Sequence, residues 1–120
     1  MKRTAQETAI LIALLRKRAA VKRARISVKT VRKLSKRRVL RTAFLDSLSR
    51  ELDDLGVHMI QLERGGLGVI LTSALEGAPP ILARTYLDED LKKLKRNEEE
   101  FKRFRAELEP DVEEVEDGEA

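Results

Sequence analysis

Cations are the side chains whose number and spacing in this sequence suggest a chemistry, and that chemistry is the binding of phosphate. Residues 1–42 contain fifteen Lys and Arg and one acid, Glu7, for a net charge of +14, whereas residues 43–120 carry a net charge of −10. A helix face that is merely solvated normally mixes both signs. The bias therefore favours contact with nucleic acid over a plain solvated surface.

The residues that could support catalysis or hold a metal do not form a recognisable set. The sequence has one histidine, His58, at the start of an expected strand, and it has no cysteine. The acids Asp53–Asp54 close an expected helix and Asp88–Asp90 open another, where they complement the helix dipole; a metal site there is a distant second interpretation. The run Gly65–Gly68 lacks the Lys-Ser/Thr of a P-loop. We expect no enzymatic activity, no cofactor and no metal.

Composition argues against two further classes. The longest apolar run, Ala9–Leu15, has seven residues, far fewer than the ~20 that cross a bilayer. The aromatic residues are three Phe and one Tyr, too few for the stacking platforms that bind single strands. We expect a cytoplasmic protein without a membrane segment.

Two helices are expected in the basic part of the chain. Thr4 and Glu7 have the spacing of a capping box, which starts a helix that runs to about Ala20. The middle of this helix is apolar nearly all round, so it should be buried on more than one side, and a dimer contact is one way to do that. Ser27 suits the cap of a short second helix that runs to about Leu34.

A third helix and a hairpin are expected next. The third helix runs from about Lys36 to Leu55, and Gly56 fits the position just past its end. Its apolar ladder consists of Leu40, Phe44, Leu48, Leu52 and Leu55. Residues 57–63 and 67–72 are rich in β-formers and flank the turn signal Arg64-Gly65-Gly66, which predicts a β-hairpin.

The C-terminal part should contain a helix from about Leu87 to Glu107. Leu87, Leu94, Phe101 and Leu108 recur every seven residues, but the companion seam positions are mostly polar, which disfavours a long parallel coiled coil. One alternative is that this helix pairs with another over a short antiparallel stretch, or docks on the first helix within one chain or across a dimer. The equal alternative is that it packs on its own domain.

The sequence predicts three parts: a domain at 1–80, a C-terminal helix at 81–108 that can mediate dimerisation, and a disordered acidic tail at 109–120. Residues 106–120 carry eight acids and no base. This tail could solubilise the protein, fold back on the basic half as a brake, or recruit a basic partner.

The order of helix, short helix, long helix and hairpin, with Gly56 before the hairpin and Arg64-Gly65-Gly66 at its tip, resembles the winged helix-turn-helix superfamily over residues 4–73. The resemblance implies a mainly α fold with a small β-hairpin (α+β) and a C-terminal helix. It also implies double-stranded DNA binding, with the start of the third helix in the major groove and the hairpin on the backbone or minor groove.

The resemblance also assigns the basic residues. Those at the start of the third helix would contact base edges, where an arginine fork suits guanine; those of the second helix would contact phosphates; and the hairpin tip would contact phosphate or the minor groove, although a plain turn arginine is an equal reading there. The predicted DNA-binding residues are Lys29, Arg32, Lys33, Arg37, Arg38, Arg41, Thr42 and Arg64.

The leading hypothesis is a homodimeric, sequence-specific DNA-binding protein, a small transcriptional regulator of bacterial or phage type. The alternative is an adaptor or inhibitor from a mobile element that uses the same scaffold for protein contacts, through the C-terminal helix or the acidic tail among others. A regulator should bind duplex DNA alone with steep salt dependence, whereas an adaptor should not. Structured RNA is a third possible ligand.

Overall fold

The protein has an α+β fold. A computed structural model describes residues 1–96 and 99–117, with side chains described up to residue 94 and over 99–109. The described chain divides into two compact units, Met1–Ala78 and Pro79–Ala120.

The first unit contains a three-stranded antiparallel sheet with the order β1-β3-β2. Its elements are α1 (Ala5–Ala19), β1 (Arg23–Ile26), α2 (Val28–Ser35), α3 (Thr42–Asp54), β2 (Val57–Gln61), β3 (Leu67–Leu71) and α4 (Thr72–Glu76). Strands β2 and β3 form the predicted hairpin, with Met59 opposite Val69. The expected hairpin and the first two helices are therefore confirmed, with ends that differ by a few residues.

Strand β1 was not predicted, so the expected two-stranded sheet is a three-stranded one. β1 pairs with β3, with Ala24 opposite Val69 and Ile26 opposite Leu67. Ala24 and Ile26 turn towards the core, while Arg23 and Arg25 are exposed. The alternation of exposed and core-facing residues in β1 was not recognised, because two arginines in four residues resemble a basic linker. The strand that pairs with β1 is also distant in sequence.

The core of this unit lies between the helices and one face of the sheet. Ile12 of α1 and Leu48 and Leu52 of α3 are completely buried, and Val57 of β2 and Val69 of β3 complete the sheet side. Helix α1 packs against both α2 and α3, and α3 packs against β2. The core therefore fixes the position of α2 and α3 relative to each other.

Helix starts follow the predicted caps. Thr4 Oγ1 accepts a hydrogen bond from the Glu7 amide at 3.1 Å, and the Thr4 amide donates to Glu7 Oε1 at 2.9 Å. Ser27 Oγ accepts from the Thr30 amide at 3.1 Å. The capping box of α1 and the cap of α2 are thus formed as expected.

The predicted start of the third helix was wrong. α3 begins at Thr42, not at about Lys36, because α2 ends with Lys36 in a left-handed conformation (φ 55°) and residues 37–41 form the connecting turn. Leu40 fits the helical ladder but reaches the core from this turn. Arg37 and Arg38 therefore precede α3 instead of lying on it.

The second unit contains α5 (Ala83–Tyr86), α6 (Asp88–Arg96) and α7 (Glu100–Asp117). The single helix predicted for 87–107 is therefore two helices in the described chain. Arg103 joins them, because its guanidinium contacts Glu100 Oε2 at 2.7 Å and Asp90 Oδ1 at 3.1 Å. Hydrogen bonds to Glu100 and to Asp90 raise the pKa of Arg103.

The backbone of α7 continues to Asp117, although the sequence suggested a helix end near 107. The side chains from 110 onwards and residues 118–120 lie outside the described residues. The disorder expected for 109–120, and the three roles considered for this tail, therefore stay predictions.

Candidate nucleic-acid interface

The predicted DNA-binding residues occupy three neighbouring segments of the first unit. Lys29, Arg32 and Lys33 are exposed on α2. Arg37 and Arg38 lie in the turn between α2 and α3. Arg41 occupies the cap position of α3, and Thr42 is the first residue of that helix. Arg64 is exposed in the turn of the β2–β3 hairpin.

A cleft that we call the basic groove lies beside the start of α3 and has a volume of about 570 Å³. Four cations and no acid line it. Its remaining walls are small, hydroxylated or apolar side chains. The lining consists of Lys2, Thr4, Ala5, Arg37, Arg38, Val39, Arg41, Ala43, Phe44 and Ser47.

The start of α3 adds backbone donors to this groove. Arg41 occupies the cap position, with φ −80° and ψ 154°, and its side chain makes no capping hydrogen bond. A guanidinium has only donors, so it cannot accept from the first-turn amides. These amides and the helix dipole favour an anion at this point. The groove thus combines a helix start with cationic side chains, a combination that suits phosphate oxygen atoms.

Arg37 has a structural role within the groove. It is half-buried, and its Nη2 donates to the Arg3 carbonyl at 2.9 Å. Its guanidinium carbon lies 4.0 Å from the centre of the Phe44 ring. These contacts hold the turn against the chain start and against α3. The sequence assigned Arg37 to base contacts, and in the structure its guanidinium contacts the Arg3 carbonyl and the Phe44 ring.

Sequence reasoning missed Lys2 and Arg3. The Arg3 amide donates to the Ser35 carbonyl at 2.9 Å, and Arg3 Nη1 donates to the Leu34 carbonyl at 2.7 Å. Arg3 thereby satisfies carbonyls at the end of α2, as cations commonly do at helix ends. It also fixes the chain start, which places Lys2 in the groove. No local spacing signals this contact, because its partners are about thirty residues apart.

A second cleft, which we call the apolar groove, lies between α2, the α2–α3 turn and the hairpin turn, and has a volume of about 370 Å³. Arg38 and Val39 line both grooves. The other lining residues are Val28, Val31, Arg32, Leu40, Leu45, Gln61, Leu62, Gly65, Gly66 and Leu67. Arg38 therefore stands on the ridge between the two clefts.

The hairpin turn is held close to the start of α2. A Cβ atom added at Gly66 would lie 2.7 Å from the Ile26 carbonyl oxygen, and one at Gly65 would lie 3.7 Å from a methyl group of Val28. Both glycines have positive φ. Because the turn approaches this closely, Arg64 belongs to the same end of the unit as the exposed cations of α2.

The remainder of α3 is acidic. Its thirteen residues include four acids and one base, Arg50. Asp46, Asp53 and Asp54 are exposed, while Glu51 is half-buried. These acids all follow the first turn of α3 and repel a polyanion, so α3 suits phosphate contact only at its first turn. The positive charge continues instead along α2.

His58 lies beside Asp53 at the start of β2. Its Nδ1 lies 3.7 Å from Asp53 Oδ1, and both side chains are about half exposed. No group of three His, Cys, Asp or Glu side chains among the described residues could hold a metal ion. Within the same residues, no helix combines the length and apolarity needed to cross a bilayer.

Comparisons of this chain with protein-family models, with curated proteins and with solved structures give no match.

Proposed function

We propose that the unit Met1–Ala78 is a winged helix-turn-helix domain that binds double-stranded DNA. In this reading α2 and α3 form the helix-turn-helix, and the β2–β3 hairpin is a short wing. The order of three helices with β1 between the first two, followed by the hairpin, supports the assignment, as does the strand order β1-β3-β2. The tip of this wing is the turn over residues 62–66.

The basic groove is the observation that carries the proposal. Its lining has four cations and no acid, and it opens at a helix start whose cap residue cannot accept from the amides. A phosphate placed there would accept from those amides and from Lys2, which also lines the groove. Lys29 and Lys33, exposed on α2, would contact further phosphates.

Sequence readout is assigned to the residues nearest the first turn of α3. Arg38 and Arg41 are exposed and Thr42 follows them. An arginine that enters the major groove can bond the O6 and N7 atoms of guanine with both arms of its fork. The acidic remainder of α3 confines readout to these few residues. The protein is then a small transcriptional regulator of bacterial or phage type.

The test is binding of a labelled duplex to the full chain across a salt series. Arg38→Ala/Arg41→Ala should weaken binding at least about tenfold and lower the slope of log K against log salt by up to about 2, because two cations that neutralise phosphate charge in the duplex are lost. Arg84→Ala/Lys93→Ala is the matched control, since it removes two exposed cations of the second unit. The affinity of the control should stay within about twofold of that of the parent, because only the net charge changes.

Sequence preference needs a separate measurement. Selection from a random duplex pool should enrich one motif with the parent chain and lose it with Arg38→Ala/Arg41→Ala. Enrichment of the same motif by both chains would remove these two residues from readout. If neither chain bound duplex in low salt, the proposed function would be wrong.

The apolar groove favours a second candidate function, docking of a partner protein by a winged-helix adaptor or inhibitor. Seven Val and Leu side chains line this cleft, and Arg32 and Arg38 stand at its side. Such a lining resembles the apolar centre and cationic margin of a protein interface. Absence of duplex binding, together with a partner whose capture is lost in Leu45→Asp, would select this candidate.

A further inference from the structure

Helix α1 has an unpartnered outer stripe within the first unit. Ile10 is 50% exposed and Leu14 is 37% exposed. Glu7 and Lys17 are exposed one step further towards each end of the helix. Positions 7, 10, 14 and 17 follow steps of three, four and three, so they lie along one side of the helix. The opposite side carries Ile12, which is completely buried.

We propose that this stripe binds the same stripe of a second copy of the chain, with the two α1 helices antiparallel. A two-fold axis near position 12 places Ile10 opposite Leu14 of the other copy, and Glu7 opposite Lys17. The apolar pair and the ion pair then each form twice, as a two-fold interface requires. Half-buried Leu11 lies beside the stripe and adds apolar surface near the axis.

The charges at the two ends of the stripe decide whether the helices pair in parallel or antiparallel. In a parallel pair, Glu7 would face Glu7 and Lys17 would face Lys17, so both ends would repel. In the antiparallel pair each end has opposite charges, and the apolar residues meet in the middle. Antiparallel pairing of a three-four repeat also joins unlike seam positions, as Ile10 and Leu14 are. The stripe is therefore complementary to the stripe of a second copy only when the two helices are antiparallel.

The length of α1 limits the strength of the dimer contact. Its fifteen residues span about 22 Å, so the contact belongs to the small end of specific interfaces. We expect a dissociation constant of the order of micromolar. No residue of the stripe lines the basic groove, so the dimer does not use that groove. If the proposed function also holds, the dimer presents two basic grooves to paired half-sites.

Sedimentation equilibrium without nucleic acid tests the dimer independently of DNA binding. Leu14→Asp should raise the dissociation constant at least about thirtyfold, because it places a carboxylate at the centre of an apolar contact. Leu75→Asp makes the same change at an exposed leucine of α4 and should leave association unchanged. Circular dichroism checks that each variant is folded. A parent chain that is monomeric at about 100-fold above the expected constant overturns the proposal, and so does a dimer that survives Leu14→Asp, since another surface would then mediate it.

Two further variants isolate the ion pairs. Lys17→Glu should weaken association about tenfold, because it brings Glu7 against an acid at both ends. Glu7→Gln/Lys17→Glu should recover most of that loss, since the amide removes the repulsion and still completes the capping box. Equal association of Lys17→Glu and the parent would overturn the pairing.

Disulfide cross-linking determines the orientation of the two helices. Because the chain has no cysteine, only the introduced residues can form the link. Lys17→Cys alone should not form a disulfide-linked dimer, because the two sulfur-bearing positions lie ten residues or about 15 Å apart along the antiparallel pair. A mixture of Lys17→Cys and Glu7→Cys chains should form the mixed dimer. Efficient linkage of Lys17→Cys to itself would demonstrate the parallel arrangement and overturn the proposal.

Discussion

The guanidinium of Arg37 lies 4.0 Å from the centre of the Phe44 ring, so the turn before α3 is fastened to the helix that follows it. The same guanidinium donates to the Arg3 carbonyl at 2.9 Å. Its neighbour Arg38 is exposed on the ridge between the two grooves. Two adjacent arginines therefore have different tasks: Arg37 holds the turn, and Arg38 is available to a ligand.

Arg37→Ala should lower the free energy of unfolding by about 2 kcal/mol, since it removes one hydrogen bond and one cation–π contact. Arg38→Ala should change it by less than about 0.5 kcal/mol, because the side chain is exposed. Urea denaturation measures both. The reverse ranking, with Arg38→Ala the less stable variant, would contradict the assignment of tasks.

Gly66 is the glycine whose replacement should cost most. Alanine there combines a left-handed backbone with a Cβ atom 2.7 Å from the Ile26 carbonyl oxygen, and we expect a loss of about 3 kcal/mol. Gly56→Ala is the matched control, since Gly56 also has positive φ but nothing lies within 4 Å of its Cβ position. It should lose only about 1–2 kcal/mol.

The difference between these two variants measures the close approach of the hairpin turn to β1. Equal losses in thermal or urea denaturation would mean that the hairpin shifts at little cost. In that event Arg64 would not be held beside α2.

Thr4→Ala should destabilise the protein by about 1 kcal/mol, because it removes the hydroxyl that accepts from the Glu7 amide. Thr4→Ser keeps this hydroxyl and should retain most of the stability. Denaturant titration of the pair separates the cap from the other contacts of Thr4. An equal loss in both variants would assign the effect to the missing methyl group instead.

The elements that could be predicted are those whose signals lie within a few residues. Thr4 and Glu7 complete their box within one helical turn, and Ser27 caps α2 through the Thr30 amide. Gly65 and Gly66 mark the hairpin because both need positive φ. In each case the physical partners are near neighbours in the chain, so spacing alone identifies them.

The elements that could not be predicted depend on distant partners. Arg23 and Arg25 resemble a basic linker until β3 supplies hydrogen bonds to β1, more than forty residues later. Leu40 continues a helical ladder in sequence but reaches the core from a turn. For the candidate site, the charge bias indicated which segments are basic, whereas the contacts of Arg37 with Arg3 and Phe44 depend on the tertiary structure.

Asp46 tests how closely α3 approaches a duplex. It is exposed one turn beyond Thr42, on a helix whose first turn is proposed to contact DNA. Asp46→Asn should tighten duplex binding about two- to fivefold near physiological salt, since it removes a charge that repels phosphates within a Debye length. Glu76→Gln makes the same change in charge on α4, which follows the end of β3 away from the hairpin turn. Fluorescence anisotropy should show a clearly smaller effect for this control. If both variants tightened binding equally, only net charge would matter, and α3 would lie away from the duplex while α2 made the contact.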